Sequence, residues 1–160
     1  MRLSITIPVL NEEQVLPELL RRVGAVLDRI PGGPHELLLV DDGSTDRTRE
    51  MLMAASEMDP RVRAIFLSRN FGHQAAITAG LDHVTGDLIV AMDGDLQDQP
   101  EDIPGFIAAQ EEGYDVVYAV RTMRKEGIVL RSCYYLFYRL MTRFSHITVP
   151  PDAGDYALIT

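Results

Sequence analysis

Cysteine is almost absent from this 160-residue chain: Cys133 stands alone. A single thiol excludes an internal disulfide and any multi-cysteine zinc site, and it fits a reducing compartment. No run of about 18 apolar residues occurs, so nothing in this sequence spans a bilayer as a helix. The opening MRLSITIPVL is too short for a secretory signal and lacks the small-residue cleavage pattern. Bases are in deficit, with 15 Lys and Arg against 24 Asp and Glu and a net charge of −9. That balance argues against a nucleic-acid binder, which would normally show a basic face. Internal repeats and low-complexity tracts are missing as well. What is present is the profile of one globular domain, 46% hydrophobic and 24% charged, in a length that can bury a core.

The charge is unevenly placed. Residues 93–115 hold Asp93, Asp95, Asp98, Glu101, Asp102, Glu111, Glu112 and Asp115 with no base among them. Residues 121–143 hold Arg121, Arg124, Lys125, Arg131, Arg139 and Arg143 against one acid, Glu126. Two surfaces with different partners follow from that asymmetry. Nearly continuous apolar, β-branched runs at 3–9, 36–40, 62–67, 88–92 and 114–120 read as strands, most of them buried on both faces. Helical patterns lie between them, near 13–29, 46–58, 73–84 and 101–112, with Pro17 tolerable in a first turn. This alternation predicts an α/β fold: a mostly parallel sheet with helices on both faces. Such sheets bind ligands beyond the carboxyl ends of their strands. The first, second and fourth strands end in PVLNEE, VDDGSTD and MDGDLQD, so three acidic clusters are expected along one rim.

Each motif admits a plain structural reading beside a functional one. VDDGSTDRT contains an Asp-Gly turn and a helix cap, but a cap needs one oxygen. Asp41 and Asp42 add two adjacent carboxylates, able to accept bonds from a ligand's N–H or hydroxyl groups. In MDGDLQD an EF-hand fails on spacing, because counting from Asp93 the glycine position holds Asp98 and the twelfth holds Pro104. A solvated acidic loop remains open. The alternative is that Asp93 and Asp95, flanking Gly94 after a buried strand, bring hard oxygens to one point, which suits Mg²⁺ or Mn²⁺ bound with a phosphate. No G-x-G-x-x-G follows the first strand, and no G-x-x-x-x-G-K-[ST] loop or G-x-S-x-G elbow occurs. In LSRNFGHQAAITAG, Arg69 with the following helix start suits an anionic group. His73 reads as a cap or surface residue, and Ala75, Ala76, Ala79 and Gly80 allow close helix–sheet packing. LRSCYYLFYRLMTRF places aromatics among bases at helical spacing. It reads as a packing helix or as an interfacial amphipathic helix over 127–144 that meets lipid phosphates at a membrane surface.

Five stretches, IPVLNEE, VDDGSTDRT, LSRNFGHQAAITAGLDHVTGD, MDGDLQDQPE and VPPDAGDYAL, resemble in that order glycosyltransferase family two. The nearest branch is that of the bacterial polyprenyl-phosphate glycosyltransferases, relatives of dolichol-phosphate mannose synthase. The resemblance covers nearly the whole chain. It implies a glycosyltransferase A-type nucleotide-diphospho-sugar transferase fold and an inverting, metal-dependent transfer from a nucleotide-diphosphate sugar, a UDP-sugar, to a polyprenyl phosphate. On that resemblance Pro8, Asn11 and Glu12 line the nucleoside pocket and Asp42 meets the base, with Asp41 and Arg69 completing the nucleotide side. Asp93 and Asp95 form the D-x-D pair for Mg²⁺ or Mn²⁺, with Gln97 beside it, and Arg121 and Arg131 face the acceptor phosphate. Asp152 and Asp155 border the sugar, so catalysis rests on Asp93, Asp95, Asp152, Asp155 and Arg131. A lipid phosphate monoester, with a second pKa of about 6, is already ionised at neutral pH and needs orientation more than a general base. Positioning is therefore the role expected of Asp152 and Asp155.

Two departures accompany the match. Gly94 stands where a small residue is usual, which loosens the loop. Members of the family also continue past PDAGD with further elements and often membrane helices. The resemblance thus implies that residues 1–160 form a single catalytic-type domain, incomplete at its C-terminus, working on the cytoplasmic side of the cell membrane. Two other readings stay open: a nucleotide-sugar-binding domain without turnover, and a family-two transferase with a polysaccharide acceptor. A nucleotidyltransferase is disfavoured by the missing Gly-rich phosphate loop.

Overall fold

Two apolar segments are buried along their full length, LSITIPV as β1 (Leu3–Val9) and ELLLVD as β2 (Glu36–Asp41). Such runs lie where helices cover both faces of a sheet. In the computed structural model, which describes residues 1–120 and 153–160, they are the second and third strands of a six-stranded sheet. The remaining strands are β3 (Val62–Phe66), β4 (Leu88–Ala91), β5 (Val116–Val120) and β6 (Ala153–Ile159), in the order β3-β2-β1-β4-β6-β5. β1 runs parallel to β2 and β4, and β2 runs parallel to β3. The mostly parallel α/β sheet expected from the alternation is the one observed.

β6 is the exception. It lies antiparallel to β4, pairing Ile89 with Ile159 and Ala91 with Ala157. Strand periodicity marks the first five strands, whereas the residues after PDAGD are expected only as another strand or helix. Its return into the sheet makes the sheet mixed.

Helices α1 (Leu16–Leu27), α2 (Thr48–Met58), α3 (His73–Leu81) and α4 (Ile103–Glu111) connect the strands, with a 3-10 turn at Pro100–Asp102 before the last. α1 starts later than position 13 because Pro17 sits in its first turn, where its missing N–H has no intrahelical partner to lose. α1 buries Leu16, Leu19, Val23, Val26 and Leu27, one stripe at helical spacing. α3 lies close to the sheet through small residues. A Cβ at Gly80 would stand 2.0 Å from the Thr6 hydroxyl, and Ala76 is fully buried. The chain divides into two compact units, Met1–Val117 with Asp155–Thr160, and Tyr118–Gly154. Every side chain described below belongs to the first. Among the described residues no helix is long and apolar enough to cross a membrane.

At the amino ends of the strands, opposite the acidic rim, Glu36 is 8% exposed. It accepts bonds from Arg63 Nη1 at 2.6 Å, from the Thr85 N–H at 2.6 Å and from the Ser4 hydroxyl. Burial alone would raise its pKa, but the donors from Ser4, Arg63 and Thr85 outweigh it and hold the carboxyl at about 2, below an ordinary 4.5. The ionised form is therefore favoured in the folded state. Its contribution is complete above pH 4.5 and disappears as pH falls from there towards 2. Glu36→Gln should cost about 2–3 kcal/mol at pH 7, measured by denaturant unfolding. The deficit relative to the unmutated protein should shrink steadily on acidification.

Candidate active site

The chain adds β2 and β3 on one side of β1 and then returns to add β4 on the other. At that reversal the loops leaving β1 and β4 diverge, and the divergence opens a crevice at the carboxyl ends. A cleft of about 280 Å³ occupies the place. Pro8 and Val9 line it from β1, Leu10 and Glu12 from the loop that follows, and Asp42 from just past the end of β2. Asn70, Gly72, His73 and Ala76 contribute from the start of α3, and Asp93, Gly94 and Asp95 from the loop after β4.

Side chains alternate in direction along a strand, so Asp41 and Asp42 part company at the end of β2. Asp41 is fully buried and does not line the cleft; one oxygen accepts the Ser44 N–H at 3.0 Å and the other lies 3.9 Å from Arg49 Nε. Arg49 in turn lies over the Phe66 ring at 4.8 Å. Asp42 faces the cleft, and its two oxygens accept the N–H groups of Phe71 at 2.8 Å and Gly72 at 3.0 Å. Each carboxylate oxygen has two lone pairs, so Asp42 retains acceptor capacity towards a ligand. Gly43 makes this arrangement possible. Its φ is +79°, and a Cβ there would stand 2.5 Å from the Arg69 carbonyl carbon and 2.6 Å from the Asn70 nitrogen.

Asn11 is in the left-handed region, with φ of 56°. Its N–H donates to the Ser44 hydroxyl at 2.9 Å, and its side-chain oxygen accepts the Thr45 N–H at 2.8 Å. The loop after β1 is thereby fastened to the loop after β2, and Asn11 is not among the cleft-lining residues. Arg69 stacks on the Phe71 ring at 4.6 Å and is likewise outside the lining.

The acidic loop is shaped by its own carboxylates. Asp98, buried, accepts the Asp93 N–H at 3.2 Å, and Asp95 accepts the Gln97 N–H at 3.0 Å. Leu96 adopts a positive φ of 61° between them. Gly94 leaves room for the loop to approach β1: a Cβ would come within 3.1 Å of both the Pro8 carbonyl oxygen and Val9 Cγ1. Where the sequence suggests that glycine loosens the loop, the structure shows that it lets the loop sit tight. His73 Nε2 lies 3.4 Å from Asp93 Oδ1. Glu12 has its pKa raised, first by burial and then by the negative charges of Asp95 and Asp46. Glu12, Asp42, Asp93 and Asp95 thus share one small cleft, whose field favours a cation. Among the described residues no three such side chains converge into a ready cage. The donor set fits a hard divalent ion held by two carboxylates and completed by phosphate oxygens and water. Gln97 is exposed just beyond the pair.

Arg121, Arg131, Asp152 and the 127–144 segment lie outside the described residues, and Asp155 falls on β6. Leu10, Asn70 and Ala76 are lining residues that sequence reasoning does not single out as ligand contacts. Asn70 sits in the RNFG stretch already marked by Arg69, so the signal was present there.

Residues 4–159 match the family profile described as "Glycosyl transferase family 2". The chain belongs to glycosyl transferase family 2. Among family members it is 49% identical over 157 residues to the Bacillus subtilis (strain 168) protein named "Uncharacterized glycosyltransferase YkcC", covering 98% of this chain and 48% of that protein. It is 45% identical over 156 residues to the Klebsiella pneumoniae "Undecaprenyl-phosphate 4-deoxy-4-formamido-L-arabinose transferase", covering 97% of this chain and 46% of that one. The chain therefore spans about half the length of the curated relatives it matches.

Among solved structures, Mycobacterium tuberculosis glucosyl-3-phosphoglycerate synthase, in complex with Mn²⁺, UDP-glucose and phosphoglyceric acid, superposes with a TM-score of 0.68 at 20% identity over 99% of this chain and 56% of that one. S. aureus TarS in complex with UDP-GlcNAc superposes with a TM-score of 0.61 at 23% identity over 80% of this chain and 37% of that one. These likenesses carry the fold, which is the glycosyltransferase A-like arrangement that the motifs imply.

Proposed function

We propose that this family 2 chain binds a UDP-sugar at the β1–β4 cleft and that the enzyme it represents transfers the sugar, with inversion, to a polyprenyl phosphate. The observation that carries the reading is the Asp93–Gly94–Asp95 turn, held against β1 and lining one cleft with Asp42. The name of the Klebsiella relative, an undecaprenyl-phosphate transferase, supports the acceptor, and the UDP-sugars held by the two structural neighbours support the donor.

In this reading Pro8, Glu12 and Asp42 receive the nucleoside, while Asn11 and Asp41 hold the two loops that present them. Arg69 serves the nucleotide side from its stack on Phe71. Asp93 and Asp95, with Gln97, would hold Mg²⁺ or Mn²⁺. When bound, such an ion neutralises charge that develops on the leaving diphosphate. His73, beside Asp93, faces the same space. In the same reading Arg121 and Arg131 orient the acceptor phosphate, Asp152 and Asp155 position the sugar, and the segment 127–144 meets the cytoplasmic membrane surface.

Calorimetric titration tests the donor side. UDP should bind about tenfold more tightly than ADP, a difference of about 1.4 kcal/mol, because Asp42 can accept the uracil N–H. In Asp42→Ala that preference should collapse towards one while the response to Mn²⁺ persists. Equal binding of ADP and UDP by the intact protein would refute the base assignment. Retention by vesicles containing polyprenyl phosphate, over the same vesicles without it, tests the acceptor side; indifference to the lipid would favour a polysaccharide acceptor.

A further inference from the structure

Tyr156 is 3% exposed on β6, and nothing in the donor site as described uses it. Continuing the Ala91–Ala157 pairing by one residue brings it beside Met92, the residue that leads into Asp93. Its hydroxyl donates to the Gln99 carbonyl at 2.6 Å, and its ring meets Phe106 of α4 with centroids 4.8 Å apart. The Gln99 carbonyl also accepts the Asp102 N–H at 3.0 Å, the bond that opens the 3-10 turn. Both lone pairs of that oxygen are therefore engaged, one within its own turn and one across to β6. A phenylalanine would fill the same space and bury the same ring. The hydroxyl adds only the bond to Gln99, which fixes the far end of the loop that starts at Asp93.

Asp98 holds the Asp93 N–H, Asp95 holds the Gln97 N–H, and Leu96 is in a left-handed conformation. Two fixed ends set where Asp93 and Asp95 point. We propose that Tyr156 is a positioning residue for the acidic loop: its bond to Gln99 couples β6 to the orientation of the Asp93–Asp95 pair and so to metal-dependent nucleotide binding. This rests on the metal and donor reading above. Because Tyr156 directly follows Asp155, the coupling also links the loop to the segment proposed to position the sugar.

The test compares the unmutated protein, Tyr156→Phe and Glu36→Gln. UDP affinity is measured calorimetrically with Mn²⁺ and with EDTA, and amide exchange is followed at Asp93 and Gln97. In Tyr156→Phe the gain in UDP affinity on adding Mn²⁺ should fall about tenfold, the usual cost of losing an outer support of a metal ligand. Affinity in EDTA should not change, and the two amides should exchange faster. Glu36→Gln, at the opposite end of the strands, should melt earlier and keep the full gain. A Tyr156→Phe protein that keeps the full gain overturns the inference, whatever its melting temperature. An unmutated protein without any Mn²⁺ gain overturns the metal reading itself, and that result is read before any variant is made.

Discussion

Asp95→Asn should remove nearly all of the Mn²⁺-dependent part of UDP binding, a loss of about a hundredfold. The same change should leave affinity in EDTA unchanged or slightly higher. The opposite signs follow from the charges around the cleft. Glu12, Asp42, Asp93 and Asp95 line it together, and among these lining residues only His73 can carry positive charge. Without a cation this set repels a diphosphate, so deleting one carboxylate relieves repulsion while it destroys half of the cation's protein ligation. Asp93→Asn should behave alike. A second readout needs no nucleotide. Glu12 is held above the ordinary carboxyl range by burial and then by Asp95. In Asp95→Asn its titration, followed by carboxyl-carbon NMR, should therefore move down. If Mn²⁺ improves UDP binding equally in both proteins, the cation is held elsewhere.

Gly43→Ala should cost about 4 kcal/mol and lower the melting temperature by roughly 8–16 °C. Two effects combine. A non-glycine residue at φ of +79° carries backbone strain of about 1–2 kcal/mol. The added Cβ would also meet the backbone of Arg69 and Asn70 at 2.5 and 2.6 Å, and backbone cannot rotate away as a side chain can. Parting the two loops breaks the bonds from Phe71 and Gly72 to Asp42. Gly72 separates the two effects within one protein. Its φ of +98° and ψ of 156° lie in a region open essentially to glycine, and nothing lies within 4 Å of a Cβ built there, so Gly72→Ala should show backbone strain of about 1–3 kcal/mol without a clash. Thermal unfolding followed by circular dichroism gives both values, and a Gly43→Ala loss no larger than the strain of about 1–2 kcal/mol would contradict the close approach at Gly43.

The sequence alone placed five of the six strands, the rim on which the acidic clusters gather and the D-x-D turn. All of these are local properties. A strand buried on both faces must be apolar at nearly every position, and a pair of carboxylates two residues apart after such a strand is visible in one short window. The tertiary structure alone decided which polar groups face the cleft and which hold its walls. Asn11 is tied to Thr45, 34 residues away, Asp42 to Phe71, 29 away, and Tyr156 to Gln99, 57 away. Asp41 and Asp42 are adjacent and chemically identical, yet one is sealed beside Arg49 and the other lines the cleft, because pleating turns neighbours to opposite faces. β6 could be read only as another strand or helix, because DYALI is a short run whose strand character depends on finding the open edge of β4. Spacing in the chain reports what a residue can bond; only the fold reports which partner, near or distant, reaches its lone pairs first.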